Sequence, residues 1–196
     1  MGNALDDFAA IYEDDVELVS VSRPPTSTGA LASKPMWGLR QAAHARSRWV
    51  QAVNDDEAPA RELPPTVDAA VIEQIAQASE TLGELLGCER VGVRLMALNA
   101  PLCPRFHVDR VPCRILITLS GEGTEWIPNR DVDWAIFADH GTVAPPVRAN
   151  AQIHRLTTGH WSLLKGGTWS DGFCGVVHRS PNATGERLLL SLEPIA

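Results

Sequence analysis

The chain has 196 residues, of which 44% are hydrophobic and 21% charged, a composition typical of a globular protein and not of a disordered chain. Its 24 acidic against 17 basic residues give a formal net charge of -7, the wrong sign for a protein that grips nucleic acid or an anionic membrane through its overall field. No run approaches the roughly 20 apolar residues of a membrane span, and the first residues lack a secretory pattern, so we expect a cytoplasmic protein with reduced cysteines.

The N-terminal half is predicted to support a domain formed mainly by the second half. We interpret residues 1–35 as an irregular, loosely attached lead-in and residues 36–196 as a single domain. Within it, residues 36–87 supply supporting helices and residues 88–196 the core.

Two helices are predicted before the core. Apolar residues at helical spacing over Met36–Val53 predict the first. The second has an apolar stripe from Val71 to Leu86 and ends at Gly87. Either Thr66 or Asp68 can cap its N-terminus.

After Gly87 the sequence changes to short β-prone runs broken by Gly, Pro and Asn. The candidate strands are Arg90–Leu98, Cys113–Leu119, Thr124–Ile127, Gln152–Leu156, His160–Leu164, Phe173–Arg179 and Arg187–Leu192, with a further β-like run at Val16–Val21. Strands that follow helices in this way predict an α+β fold, an antiparallel sandwich or barrel with helices on one outer face. The long segment Asp131–Ala151 is either a lid or substrate-facing insertion, or a disordered surface insertion.

The candidate chemistry lies in this second half, at His107-Val108-Asp109 and at His178. Two imidazoles and one carboxylate form the facial triad of non-haem Fe(II) oxygenases. His and Asp separated by one residue point to the same side of an extended segment, so one short stretch supplies two ligands. His178 must come from a neighbouring strand.

Nine positions after His178, Arg187 begins a run in which alternation places Arg187, Leu189 and Ser191 on one face and three leucines on the other. A fixed guanidinium suits the distal carboxylate of a dicarboxylate, which it grips with two hydrogen bonds. The short connection between His178 and Arg187 makes their strands plausible antiparallel neighbours that line one cavity.

Taken in order, Phe106-His107-Val108-Asp109, Gly166-Gly167, His178-Arg179-Ser180-Pro181 and Gly185-Glu186-Arg187 resemble the Fe(II)/2-oxoglutarate-dependent oxygenases, especially their prolyl-hydroxylase-like branch. The resemblance implies a double-stranded β-helix, a cupin-like jelly roll, over about Arg90 to Glu193. It implies His107, Asp109 and His178 as catalytic iron ligands and Arg187 as the anchor of the co-substrate 2-oxoglutarate. Where some members place a Ser two residues after that Arg, this chain has Leu189. Ser191 and Thr118 are therefore the candidate hydroxyl contacts.

A second, narrower resemblance makes zinc an alternative metal for the site. The segments CPRFHVDRVPCR and GEGTEW resemble a bacterial family of uncharacterised proteins associated with genes for zinc homeostasis. Cys103 and Cys113 flank the H-x-D pair, and thiolates are good zinc ligands. Arg105, Arg110 and Arg114 form a basic cluster that either draws an anion toward the site or is a solvated strand edge. Trp126 is a candidate wall of the substrate pocket.

The resemblance implies an Fe(II)- and 2-oxoglutarate-dependent dioxygenase of the hydroxylase type. Its substrate would be a small molecule or a side chain of another protein, with neither nucleic acid nor a membrane as partner. The alternative is a non-catalytic barrel that binds zinc or another metal.

Overall fold

The structure, a computed structural model, describes residues 4–23, 47–139, 141–182 and 185–195. Its strands are β1 (Leu18–Ser22), β2 (Ser47–Ala52), β3 (Arg90–Leu98), β4 (Cys113–Ser120), β5 (Glu125–Ile127), β6 (His154–Arg155), β7 (His160–Lys165), β8 (Val177–Arg179) and β9 (Arg187–Ile195). Its helices are α1 (Ala4–Phe8), α2 (Ala58–Glu62), α3 (Ala69–Leu86) and α4 (Trp134–Ala138), with 3-10 turns at Ala9–Tyr12 and Asn129–Asp131. In these ranges no helix combines the length and the apolar character that crossing a membrane requires.

The strands form two antiparallel sheets. Six make a large sheet in the order β1-β7-β4-β9-β3-β2, and three make a small sheet in the order β6-β5-β8. Strand β9 lies inside the large sheet, where it pairs with β3 along its whole length and with β4 on its other side. The architecture is therefore mixed helix and antiparallel sheet, as the sequence predicts.

Helix α3 covers one face of the large sheet. Asp68 caps its N-terminus by accepting a hydrogen bond from the Ala70 N–H at 2.9 Å, and Gly87 ends it with a φ of 65°. Its apolar stripe packs on β9 at Leu190 and Leu192, which are fully buried. The predicted second helix is confirmed, with Asp68 as the residue that caps it.

The other face of the large sheet packs against the small sheet and the segments beside it. The apolar layer between them consists of Met96, Leu98, Leu116, Leu164 and Leu189 from the large sheet and Trp126, Leu156 and Val176 from the other side. Strand alternation turns Arg187 and Ser191 of β9 toward this layer and turns Leu188, Leu190 and Leu192 toward α3.

The described part of the N-terminal segment, residues 4–23, is packed into the core, unlike the expected loose lead-in. Phe8 and Ile11 are fully buried beside α3, and β1 forms an edge of the large sheet by pairing with β7. Two apolar residues three positions apart are too short a pattern to predict such packing from sequence.

The predicted first helix is wrong over residues 47–52, which form β2; residues 24–46 lie outside the described residues. Trp49 and Gln51 are buried, whereas Arg48 and Val50 are exposed, which is the two-residue period of a strand. A short run that contains a Trp and a Val suits either structure, and pairing with β3 favours the strand.

Two other predicted elements differ in detail. Gly172 and Gly175 have φ angles of 82° and 81°, so the expected strand Phe173–Arg179 begins only at Val177. The segment 131–151 is not a disordered insertion in its described part, because Trp134 and Phe137 pack on the outer face of the small sheet. His140 lies outside the described residues.

Candidate metal centre

Two histidines lie side by side because their segments are paired backbone to backbone. The His107 N–H donates to the His178 carbonyl at 2.9 Å, and the His178 N–H donates to the His107 carbonyl at 3.0 Å. Directly opposed residues point their side chains to the same side, and the two ring centroids are 4.5 Å apart. His178 belongs to β8, whereas His107 lies in the loop that leads to β4.

Asp109 completes the group. Its Oδ2 lies 3.3 Å from His178 Nε2, and its Oδ1 lies 3.7 Å from His107 Nε2. One ligand atom from each of the three residues lies within 4.8 Å of the others. The structure thus brings His107, Asp109 and His178 together, and within the described ranges no other set of His, Cys, Asp or Glu forms such a group.

The backbone fixes which nitrogen each imidazole presents. Nδ1 of His107 is 3.0 Å from the Arg105 carbonyl oxygen, and Nδ1 of His178 is 2.9 Å from that of Val176. A carbonyl only accepts, so both rings donate from Nδ1 and turn Nε2 toward Asp109. Metal-binding histidines commonly have their other nitrogen held in this way. Nε2 lone pairs that face a carboxylate are repelled unless a proton or a metal ion lies between them, so the group fits a bound cation.

Burial and charge set the protonation states of these side chains. Burial alone would raise the pKa of Asp109, but its contact with His178 and the charge of Arg114 hold that pKa well below its usual range. Burial, followed by the proximity of His178, lowers the pKa of His107 from its ordinary 6.5. Asp109 is therefore ionised and His107 neutral at pH 7, the forms that bind metals.

Close packing anchors the loop that carries His107 and Asp109. The Gly167 N–H donates to the Asp109 carbonyl at 2.8 Å. A Cβ on Gly175 would lie 2.3 Å from Cγ1 of Val108, the residue between the two ligands. Glycine at this position therefore lets the segment before β8 pack directly on the loop.

The outer side of the same loop is held at Phe106. The Arg179 guanidinium lies 4.4 Å from the centroid of the Phe106 ring, and its Nε donates to Glu125 at 2.8 Å. Phe106 precedes His107 and Arg179 follows His178. The contact therefore helps to fix the spacing of the two histidines.

Arg187 is buried, only 5% exposed, with hydroxyls as its hydrogen-bond partners. Its Nη2 donates to Thr124 at 2.6 Å and to Thr118 at 3.3 Å, and its Nε has no partner. In the described part of the chain no carboxylate pairs with it. Burial lowers its pKa to about 10, so the guanidinium stays charged at pH 7. A buried cation without a counter-charge is costly, which favours an anionic ligand here.

A small, open surface pocket borders Arg187 and is lined by Leu98, Ala100, Pro101, Ser180, Pro181, Gly185 and Arg187. Ser180 and Pro181 directly follow β8, the strand of His178. Of the predicted hydroxyl contacts, Thr118 touches Arg187. Ser191 is buried on the same face of β9 but four residues farther along, a Cα separation of about 13 Å at roughly 3.3 Å per residue.

A family model described as protein of unknown function (DUF1826) matches residues 2–193. The chain belongs to the DUF1826 family. The predicted resemblance to a family of unknown function is thereby confirmed. Among curated proteins, no sequence matches this DUF1826 chain.

Solved structures resemble the DUF1826 chain over most of its length. A candidate oxygenase from Shewanella oneidensis aligns with a TM-score of 0.55 at 13% identity, covering 97% of this chain and 86% of the other. AviO1 from Streptomyces viridochromogenes aligns with a TM-score of 0.50 at 15% identity, covering 99% and 97%. An oxidoreductase of the 2OG-Fe(II) oxygenase family from Burkholderia pseudomallei gives 0.45 at 12% identity, covering 98% and 90%. At TM-scores of 0.55 and 0.50, the likeness to the candidate oxygenase and to AviO1 confirms the predicted resemblance as one of fold.

The cysteines of the DUF1826 chain do not join the metal group. Cys113 is fully buried in the core beside α3, where burial raises its pKa to about 12. Cys103 and Cys174 are exposed. The described residues include all four cysteines, and none of them belongs to a group of three potential metal ligands.

Trp126 lies beside the metal group. It is the cross-strand partner of His178 in the small sheet, so the two side chains share a face. Its ring centroid is 5.3 Å from that of His154, which is exposed. This placement suits a wall of a substrate pocket.

Sequence reasoning missed the charged network behind Asp109. Arg114, interpreted as part of a basic cluster with Arg105 and Arg110, is largely buried, and its Nη1 lies 2.6 Å from Asp109 Oδ2. Its other partner is Glu193, on β9. Both residues face the small sheet by strand alternation, but the register of β4 on β9, which brings them together, cannot be derived from one sequence.

Proposed function

We propose that this DUF1826 protein is an Fe(II)- and 2-oxoglutarate-dependent dioxygenase of the hydroxylase type, built on a cupin-like double-stranded β-helix. The observation that carries the proposal is the group formed by His107, Asp109 and His178. Two imidazoles and one carboxylate are the facial triad of non-haem Fe(II) oxygenases, and this ligand set leaves coordination positions open for other ligands.

The choice of iron rests on more than the ligand set. Histidine and aspartate also bind zinc, so the three donors alone do not distinguish the two metals. The fold is shared, at a TM-score of 0.55, with a protein described as a candidate oxygenase. Oxygenase chemistry at this ligand set needs a redox-active metal such as iron, and zinc has no redox chemistry. Among the described residues, no thiol joins the group, which weakens the case for a structural zinc site.

Arg187 supports 2-oxoglutarate as the co-substrate. The Nε of Arg187 lacks a partner, and a distal carboxylate reaching it from the pocket would supply the missing negative charge. Thr118 and Thr124 hold the guanidinium in place. Ser191, on the same face of β9, is proposed as a contact nearer the metal.

In the proposed reaction dioxygen is the oxidant, and Fe(II) and 2-oxoglutarate, when bound, would supply the electrons that activate it. The protein's part is to hold the metal through His107 Nε2, His178 Nε2 and Asp109, and to orient the dicarboxylate at Arg187. The apolar layer between the sheets excludes water from the space behind these groups. Trp126 would bound the substrate, a small molecule or a side chain of another protein.

Anaerobic calorimetry with Fe(II) and Mn(II), combined with elemental analysis of the purified protein, tests the metal site. We expect one metal ion per chain in the wild type and at least a 100-fold loss of affinity in His107→Ala, Asp109→Ala and His178→Ala. His154→Ala, which removes an exposed histidine outside the group, is the control and should bind as the wild type does.

Two outcomes would contradict the proposal. A His107→Ala variant with wild-type metal affinity would remove the basis of the site. Wild-type protein that holds zinc and has no affinity for Fe(II) would favour a non-catalytic zinc-binding barrel instead.

A further inference from the structure

We infer that Arg114 is a positioning residue that holds Oδ2 of Asp109 and leaves Oδ1 as the oxygen presented to the metal, an inference that rests on the proposed metal site. Arg114 Nη1 lies 2.6 Å from Asp109 Oδ2. Both side chains are largely buried, with 13% of Arg114 and 14% of Asp109 exposed. At this depth the ion pair is only weakly screened by solvent.

The guanidinium of Arg114 is held from its other side as well. Its Nη2 donates to Glu193 Oε2, and Glu193 Oε1 accepts a second hydrogen bond from Arg94 Nη2 at 2.6 Å. The three side chains come from the neighbouring strands β4, β9 and β3. A planar guanidinium fixed between two carboxylates cannot follow a movement of Asp109.

This fixation makes the two oxygens of Asp109 unequal. Oδ2 is bound by Arg114 and lies 3.3 Å from His178 Nε2, whereas Oδ1, 3.7 Å from His107 Nε2, is not bound by Arg114. The charge-assisted contact with Arg114 draws electron density from Oδ2, so Oδ1 is the stronger metal ligand of the two. Rotating the carboxylate away from Arg114 would break a buried ion pair, which is unfavourable. Arg114 therefore fixes Asp109 in an orientation that presents Oδ1 to the metal.

A role in supporting Glu193 would be shared by Arg114 and Arg94, because each donates to the same carboxylate. Arg94 pairs with Glu193 and not with Asp109. Its side chain is 31% exposed, against 13% for Arg114. The matched variants Arg114→Met and Arg94→Met separate the two roles. Arg114→Lys retains the charge between the carboxylates but loses the planar, two-pronged contact.

The test uses Co(II), whose visible absorption reports the number and geometry of its ligands, together with Co(II) affinity by calorimetry. We expect Arg94→Met to match the wild type in spectrum and to within about twofold in affinity. Arg114→Met should bind Co(II) roughly 10- to 100-fold more weakly, with an altered spectrum, as for other groups that orient metal ligands. Arg114→Lys should recover part of the affinity but not the wild-type spectrum.

The outcomes distinguish this inference from the proposed function. Wild-type protein that binds no metal would refute the proposed function. Wild-type protein that binds Co(II) while Arg114→Met and Arg114→Lys share its spectrum and affinity would refute only the role of Arg114, as would an equal effect of Arg94→Met. Should Arg114→Met fail to fold, the spectrum of Arg114→Lys decides between the two results.

Discussion

The Asp109 carboxylate contacts the other charged and polar groups of the site. Two imidazoles face it, a guanidinium neutralises it from behind, and a glycine N–H holds its own backbone carbonyl. The guanidinium favours the ionised form of Asp109, and the glycine N–H fixes its backbone. The protein itself therefore supplies contacts that hold Asp109 in place beside the two imidazoles.

The cysteines give a first prediction, because they distinguish packing from ligation. Cys113→Ser puts a hydroxyl into a fully buried apolar position and should lower the free energy of unfolding by about 1–3 kcal/mol. Cys103→Ser changes an exposed side chain and should alter it by less than about 0.5 kcal/mol. Both variants should keep wild-type metal affinity, measured by calorimetry beside chemical denaturation. Loss of metal from Cys103→Ser would restore the zinc–thiolate alternative.

Residue types and their order predict His107, Asp109 and His178 as one group, because two imidazoles and one carboxylate are a recognised set of metal ligands. The contacts of Arg187 and Arg114 were not predictable in the same way. Thr124 follows a glycine-bearing turn, and the sequence of that turn does not indicate where Thr124 lies in the fold. Thr124 nevertheless makes the shorter of the two hydrogen bonds to Arg187. Such contacts depend on sheet register, which one sequence does not determine.

The strands and loops around the site depend on glycines for close approach. Gly172 and Gly175 have nearly the same φ, 82° and 81°, but different surroundings. A Cβ on Gly172 would meet nothing within 4 Å, whereas one on Gly175 would press on Val108 at 2.3 Å. The pair therefore separates the cost of backbone conformation from the cost of crowding.

We expect Gly172→Ala to lose about 1–2 kcal/mol of stability from its left-handed backbone alone. Gly175→Ala should lose about 1–3 kcal/mol more, since overpacking adds to the same strain. It should also weaken metal binding, because Val108 lies between His107 and Asp109. Urea denaturation and metal calorimetry on both variants provide the measurement. Equal stability and equal metal affinity in the two variants would show that the loop does not depend on this contact.

Elements with one clear period were predictable, and elements that depend on distant partners were not. Helix α3 follows from its stripe and its caps, and β3 was predicted with its observed bounds. The prediction of a helix over the residues of β2 is wrong because their partner strand, β3, is distant in the sequence. The residues of β2 alone do not indicate that pairing. The predicted strand 173–179 is too long because Gly175, with its positive φ, interrupts the extended backbone before Val177.

The N-terminal segment joins distant parts of the molecule at Glu17. Both oxygens of its carboxylate accept the Asn129 N–H at 3.0 Å, and its backbone carbonyl accepts the Lys165 N–H at 3.0 Å. Burial raises the pKa of Glu17 above its ordinary 4.5, although the Asn129 N–H and nearby cations oppose the shift. The folded protein therefore takes up a proton at Glu17 more readily than the unfolded chain does.

The direction of the Glu17 pKa shift determines how Glu17 changes the stability of the protein with pH. Glu17 contributes stability below the unfolded pKa of 4.5, and that contribution is lost as the pH rises through the higher folded pKa. Glu17→Gln keeps an oxygen for Asn129 and cannot ionise, so it should gain stability relative to the wild type as the pH rises above 4.5. Glu13→Gln, an exposed carboxylate in the same segment, controls for the loss of one negative charge. A difference between Glu17→Gln and the wild type that stays constant across pH would contradict this account.

The most direct test of the whole account is the binding of 2-oxoglutarate to the Fe(II)- or Mn(II)-loaded protein without oxygen, measured by calorimetry. We predict binding in the wild type, unchanged binding in Arg110→Ala, and affinity about 30- to 1,000-fold lower in Arg187→Ala, the worth of a charge-assisted pair of roughly 2–4 kcal/mol. Metal content should be the same in all three. Equal affinity in wild type and Arg187→Ala, or no binding in either, would contradict the oxygenase assignment even if the His107–Asp109–His178 group binds its metal.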